Sequence, residues 1–448
     1  MLLAAPLLSA FLVPLTAPGQ GPEDGRGQGL FDAAWHAGRR RALLERVEDG
    51  VLVLRGAPAP SDSRPFRQDN DFWYFTGLST PDAVLVLDAT DGREVLLVPP
   101  ADPSAERWLG DLIDPEEARA ATGIEDCRPL AAGRRPWGGL EDLLAELAAG
   151  RPVFRTPLQP AENWMTSRDD ALAAARARQL DPFDGRPSRE DRFRRLLEER
   201  YGVQVEDLSP VIDALRLIKT EPEIEAIRRA AEISGRAHEA AIRLAEPGLP
   251  EWRLAAEMTG AMLAAGARGP AYAAIVGSGP NACVLHYSAN RRALAAGDLV
   301  LIDYGAEFNH YCADVSRTWP VDGRFDPRQR EVYEAVLAAQ EAAFAECKPG
   351  GNLRRVQQAA VRVLRERGFP GQPPHGIGHW LGMATHDVGG WAAEFRPGMV
   401  FTVEPGVYLP EEGIGVRIED DVLITEDGCE ILTEGIPRRI EDLERLRR

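Results

Sequence analysis

The sequence predicts an α+β protein of two domains, a smaller α/β domain followed by a larger one built from two similar halves. Three observations point there. The chain has 448 residues, beyond the length at which a single hydrophobic core stops growing. Its first part mixes short apolar strands with helical stretches. Its second part twice sets a pair of helices before a strand-rich segment. On this reading residues 1–28 are a leader and linker, 29–206 the first domain and 207–440 the second.

The leader, MLLAAPLLSAFLVPL, is an apolar run with prolines at 6 and 14, too short to span a bilayer as a helix. It has the composition of a secretory signal peptide, although no Lys or Arg precedes it and LTAPGQG is a poor small-residue cleavage site. Export, periplasmic or secreted, is therefore expected over a cytoplasmic location, with a disordered start as the alternative. Pro18 to Gln28, rich in Gly, Pro and charge, reads as a linker.

From Gly29 to about Gly150, GVLVLRG at 50, AVLVLD at 83 and EVLLVPP at 94 read as buried strands, and LEDLLAELAA at 140 as a helix. Arg151 to Leu208 turns charged and helical (SREDRFRRLLEERYG), closing the first domain. Thr220 followed three residues later by Glu223, with Pro222 between them, is a helix start by capping-box logic. That helix should run through IEAIRRAAEISGRAHEAAIRLA, a second should follow Pro250, and strands should occupy about 271–320. Two more helices are expected over 329–346 and 353–367, with strands returning after Pro397. GDLVLIDYG (297–305) and PGMVFTVEPG (397–406) share one pattern: turn, apolar strand, carboxylate, one residue, glycine. This degenerate repeat suggests a duplicated half-domain, with Asp303 and Glu404 at equivalent strand ends.

Composition narrows the function. A content of 44% hydrophobic and 27% charged residues is that of an ordinary globular protein. The formal charge of −18 repels phosphate backbones and anionic lipid, so no nucleic-acid partner is expected. The cysteines, Cys127, Cys283, Cys312, Cys347 and Cys429, are odd in number and lack C-x-x-C spacing, so they imply neither a zinc site nor a disulfide framework.

What remains is a constellation of acids and histidines. Asp303 ends an apolar strand and Asp314 lies in the next extended run, YCADVSRTW. A hairpin would bring both to one edge, where two close anions in a low dielectric need a cation between them. Solvent-facing strand ends would explain the pair equally well. In GIGVRIEDDVLIT the period of two sets Val416 and Ile418 on one face and Arg417 and Glu419 on the other. Arg417 and Glu419 read as a plain ion pair or as a ligand with a charged neighbour. Glu404, in FTVEPGVY, would be costly to bury unpaired. PPHGIGHWLGMATHDVGG holds His375, His379 and His386 among glycines, a loop lining something. Carboxylates plus imidazole form a mixed oxygen and nitrogen site suited to Mn, Co or Zn. Two such ions side by side would support hydrolysis.

These segments, in this order, resemble the pita-bread metallopeptidases, specifically the branch of Xaa-Pro aminopeptidase (aminopeptidase P) and prolidase. FRQDNDFWYFTGL at 66 is similar to the N-terminal domain signature of that branch, and LRLIKTEPEIEAIRRAAEIS at 215 to its entrance into the catalytic domain. IVGSGPNACVLHY, LVLIDYGAEFNHYCADVSRTWPV, HGIGHWLG, THDVG, FTVEPGVY and GVRIEDDVLIT match its site motifs in turn. The resemblance implies a pita-bread catalytic domain binding two divalent metal ions, manganese first, with cobalt or zinc as alternatives. Asp303 would chelate one ion, His379 and Glu404 the other, and Asp314 and Glu419 would bridge them. Glu404 would also shuttle the proton. His286, His375 and His386 would face the substrate carbonyl, and Arg417 would hold the bridging Glu419 and the substrate end. The implied reaction is release of the first residue from peptides with proline in second position. Prolidase (Xaa-Pro dipeptidase) and a non-catalytic peptide-binding module are the alternatives, and a homodimer or homotetramer is expected. Ala384-Thr385 stand before His386 where the family commonly shows Asp-Val, a departure that bears on loop packing.

Overall fold

The computed structural model describes residues 30–447, except 61–64, 103, 105, 108, 109, 111, 163 and 370–373. The leader of 1–28 lies outside the described residues. Among these residues no helix is long and apolar enough to cross a membrane.

The first domain runs α1 (Ala33–Leu44), β1 (Val51–Arg55), α2 (Asn70–Thr76), β2 (Val84–Asp88), β3 (Arg93–Val98), α3 (Pro115–Thr122), β4 (Asp126–Pro129), α4 (Gly138–Ala148), β5 (Val153–Thr156), α5 (Arg168–Leu180), α6 (Arg189–Tyr201) and β6 (Gln204–Asp207). One six-stranded sheet orders them β4-β3-β2-β1-β5-β6. The apolar runs read from sequence are its central strands, buried on both faces because side chains alternate. Val51, Val53, Val84, Val86, Val95 and Leu97 pack under Leu140, Leu143 and Leu147 of α4. Leu52, Leu54, Leu85, Leu87 and Leu96 face the other way, into a core that includes Ile212, Leu215, Tyr311, Leu381 and Met383 of the second domain. One face of the first sheet therefore shares a core with the second domain.

The second domain begins with α7 (Ser209–Arg216), α8 (Glu221–Leu244) and α9 (Glu251–Ala264). The expected capping at Thr220 is present: the Glu223 carboxylate accepts the Thr220 N–H at 2.8 Å. Strands β7 (Gly269–Pro270), β8 (Ile275–Ser278), β9 (Leu299–Asp303), β10 (Ala306–Phe308), β11 (Tyr311–Cys312) and β12 (Ser316–Pro320) follow. Then come α10 (Pro327–Phe344), α11 (Leu353–Glu366), β13 (Val400–Val403), β14 (Gly406–Leu409), β15 (Ile414–Arg417), β16 (Asp420–Ile424), β17 (Cys429–Ile431) and α12 (Ile440–Leu446). The last helix, α12, buries Ile440 and Leu443 in the core of this domain.

The repeat read from sequence is wider than two strand ends. In the first half β9 leads through the short strands β10 and β11 back to β12, which pairs with β9 antiparallel, Asp303 opposite Ser316. In the second, β13 leads through the β14–β15 hairpin back to β16, which pairs with β13, Val403 opposite Asp420. Each half carries one acid where the chain leaves the ladder, Asp303 and Glu404, and one just before it returns, Asp314 and Glu419. Asn309 and His310, with φ of 49° and 67°, make the tight turn between β10 and β11.

Candidate metal centre

The structure brings the carboxylates of the two halves together with His379. Nδ1 of His379 lies 3.2 Å from the Trp380 carbonyl, which leaves Nε2 free to coordinate. Nε2 is 3.3 Å from an Asp314 oxygen and 3.7 Å from one of Glu404. Ligand atoms of Asp314, His379 and Glu419 all lie within 4.8 Å of one another. Asp303 and Asp314 do converge, and Tyr272 explains how: its hydroxyl lies 2.7 Å from Asp303 Oδ1 and within hydrogen-bond reach of Asp314 Oδ1. One phenolic proton cannot serve both carboxylates at once.

His379 is placed by main-chain pairing. Thr402 N–H donates to the His379 carbonyl at 2.9 Å, Glu404 N–H to Ile377 at 2.8 Å and Leu381 N–H to Val400 at 3.1 Å, so residues 377–381 run beside β13 like an extra strand. A Cβ on Gly378 would stand 1.9 Å from the Thr402 carbonyl oxygen, which accounts for the glycine before His379. Gly305 is required for the same reason, since a Cβ there would meet the Ala313 carbonyl oxygen at 1.8 Å.

The electrostatics fit divalent cations. Burial, aided by the Asp314 charge, raises Asp303 to about 6. Burial raises Glu404 to about 7 against the pull of His379 and Arg417. Glu419 is pushed well above the carboxylate range by burial and then by Asp314 and Glu404. Burial alone would lower His379, but the hydrogen bond and charge of Asp314 outweigh it and lift the imidazole to about 9. The same imidazole holds Asp314 low in spite of burial. A proton on His379 thus stands in for positive charge that four buried carboxylates require.

The remaining expected residues are at the same place. Arg417 sits where strand alternation puts it, and its guanidinium reaches two of the carboxylates. Its Nη2 binds Asp303 directly at 2.6 Å, and it reaches Glu419 only through Ser316, whose hydroxyl is 2.7 Å from both the Arg417 Nε and a Glu419 oxygen. His375 Nδ1 is 3.5 Å from Glu404, and its Nε2 is 2.8 Å from the Tyr408 hydroxyl. The centre of the His386 ring lies 4.0 Å from that of His379, the two planes tilted by 40°. His286 is exposed and close enough to depress the protonation of both His375 and His386, after burial and nearer charges.

Sequence reasoning missed Tyr272, Ser316, Tyr408 and Asp387. The last follows His386 and anchors its loop: its carboxylate, fully buried, lies 2.5 Å from Arg216 and 3.6 Å from Lys219. Arg216 also binds Asp71 at 2.7 Å and Glu162 at 2.8 Å, and Arg67 reaches the Met383 carbonyl, so both domains grip the histidine loop. Arg216, in LRLIKT, is wholly buried, yet it offered no signal, because a sequence gives no means to see which Arg is interior.

Comparison with known proteins bears on the same residues. The family described as metallopeptidase family M24 matches residues 225–426, and that described as aminopeptidase P, N-terminal domain, matches 36–151. The chain is 35% identical to the Xaa-Pro aminopeptidase of Escherichia coli (strain K12), over 91% of this chain and 96% of that one. It is 31% identical to Xaa-Pro aminopeptidase 3 of Homo sapiens, over 85% and 76% of the two chains. Among solved structures, the aminopeptidase from Pseudomonas aeruginosa superposes with a TM-score of 0.78 at 34% identity, covering 93% of this chain and 98% of that one. Aminopeptidase P from E. coli with the inhibitor Pro-Leu gives 0.78 at 32% identity with the same coverage. With both domain types in order and such relatives matched nearly end to end, the chain belongs to the Xaa-Pro aminopeptidases of metallopeptidase family M24.

Proposed function

We propose that this chain hydrolyses the first peptide bond of peptides carrying proline in second position, releasing the N-terminal residue, with the five converging donors holding two divalent metal ions. The observation that carries this reading is the meeting of Asp303, Asp314, Glu404 and Glu419, one pair from each half of a duplicated fold, around His379. When bound, such ions polarise the scissile carbonyl and make water nucleophilic at neutral pH. Asp303 is assigned to one ion, His379 and Glu404 to the other, with Asp314 and Glu419 bridging. Manganese is the proposed metal, because the donor set is mostly oxygen, with cobalt and zinc as alternatives.

The chain's own residues do the rest. Glu404 accepts a proton from the attacking water and passes it to the leaving proline nitrogen. His375 and His386, both lowered to about 4 chiefly by burial, are neutral at working pH. Together with His286 they are assigned to hydrogen bonds with the scissile carbonyl and the tetrahedral oxyanion. Arg417 fixes Asp303 directly and Glu419 through Ser316. The Xaa-Pro bond is a tertiary amide of restricted shape, which a pocket can select. A dimer or tetramer is the proposed assembly, to be checked by light scattering.

The test is turnover by metal-stripped protein before and after adding manganese, on Xaa-Pro dipeptides and on longer Xaa-Pro peptides. Metal-dependent release of the first residue from the longer peptides is expected. Activity confined to dipeptides would make the chain a prolidase, and none with any metal would overturn the hydrolase reading. Glu404→Gln should abolish turnover in a folded protein, and near-normal activity would remove the proton shuttle from that residue.

A further inference from the structure

Two cysteines far apart in sequence meet beneath the second half of the catalytic domain. Cys347 follows α10 and is wholly buried, 1% exposed, while Cys429 opens β17 and is half-buried. Their sulfurs converge on the last turn of α10: Cys347 Sγ lies 3.4 Å from the Ala343 carbonyl oxygen and Cys429 Sγ 3.8 Å from that of Phe344, the next residue. Each thiol shifts the ionisation of the other, so the two are neighbours. Both are free thiols in this structure. We propose that Cys347 and Cys429 form a redox modification site, a dithiol that a low-molecular-weight disulfide converts into an intrachain crosslink.

The step balances as ordinary thiol–disulfide exchange. Their proximity favours negative charge on the more exposed Cys429 and holds the buried Cys347 protonated, its S–H facing the Ala343 carbonyl. The Cys429 thiolate attacks one sulfur of the small disulfide, forming a mixed disulfide and expelling one small thiolate. Cys347, giving up its proton, then attacks Cys429 and expels the second. One small disulfide is consumed, two small thiols are released, and the protein loses two hydrogens. The bond would close residues 347–429 into a single covalent loop. That loop carries His375, His379, His386, Glu404, Arg417 and Glu419, while Asp303 and Asp314 stay outside it.

The test treats the metal-loaded full chain with oxidised glutathione and reads intact mass, free thiols and mapped peptides. Expected are a loss of about 2 Da, a fall in free thiols from the five of the sequence to three, and one crosslinked peptide pair holding Cys347 and Cys429, reversed by a reductant. The oxidised protein should unfold at a temperature higher by roughly 5 °C, as closing a long loop predicts. Cys429→Ser should remove the mass loss, and Cys283→Ser, at a half-buried thiol elsewhere, should leave it intact. Peptide mapping of the unmutated chain needs no variant to fold. Five thiols persisting, a mixed disulfide that never resolves, or a crosslink through any other cysteine would each overturn the proposal.

Discussion

Replacing Asp387 by Asn removes one charge from the cluster that grips the histidine loop and leaves the shape intact. The cost follows from what each partner retains. Arg216 keeps Asp71 at 2.7 Å and Glu162 at 2.8 Å, so it is not stranded. Lys219 is, because among the described residues Asp387 is the one carboxylate within 4.0 Å of its amine. Breaking a buried pair costs about 3–5 kcal/mol when a charge is left uncompensated. Lys219 can escape the upper figure by shedding its proton, since burial already lowers its pKa. The loss should therefore lie near the lower end, about 3 kcal/mol. Native-state hydrogen exchange reads this locally, at the amides of Leu381, bonded to Val400, and Asp387, bonded to Trp380 at 2.9 Å. Their opening should become more frequent by a factor of about 100. Adding Lys219→Met removes the stranded amine and should restore roughly 1–3 kcal/mol, the coupling expected of residues in direct contact. Unchanged exchange in Asp387→Asn, or strictly additive costs, would refute the claim that this charge holds the loop.

Other consequences can be checked alongside. Tyr272→Phe deletes the hydroxyl between Asp303 and Asp314 and should weaken metal affinity by about 10–100-fold with the fold unchanged, as for other groups that orient ligands; a metal titration by calorimetry decides it. Gly378→Ala drives a Cβ into the Thr402 carbonyl, and displacement of His379 should lower kcat/KM by about a hundredfold or more. Chelation should lower the unfolding temperature and reloading should restore it, with a stabilisation of about 4 kcal/mol when free metal stands a thousandfold above Kd. His36 is buried and lowered to about 4, first by desolvation. Between that value and 6.5 the unfolded chain binds the extra proton, so stability falls as pH drops through this window, by on the order of 3 kcal/mol in total. A His36→Asn variant measured by urea unfolding over the same range should show a shallower pH slope than the parent.

The legible part of this protein was what period and punctuation encode. VLVLR, VLVLD and LVLID are strands because nothing else buries such short β-branched runs on both faces, and Thr220 with Glu223 marked a helix start that the hydrogen bond at 2.8 Å realises. Arg417 and Glu419 fell on the same face by alternation alone. The duplicated pattern placed Asp303 and Glu404 at equivalent ends, yet the second equivalence, Asp314 with Glu419, was hidden because the segments between outgoing and returning strands differ in length and sequence. Tyr272, Ser316 and Tyr408 were illegible for a different reason. Each acts through one hydroxyl that is meaningful only once strands distant in sequence lie side by side, and no local pattern distinguishes such a hydroxyl from a solvated one. The link from Arg417 to Glu419 was illegible in detail on the same ground, since it runs through Ser316 from the other half of the domain.

The ladder that joins residues 377–381 to β13 turns two separate donors into a single mechanical part. A displacement of the loop drags Glu404 with His379, so their mutual spacing survives breathing motions that would detune donors mounted independently.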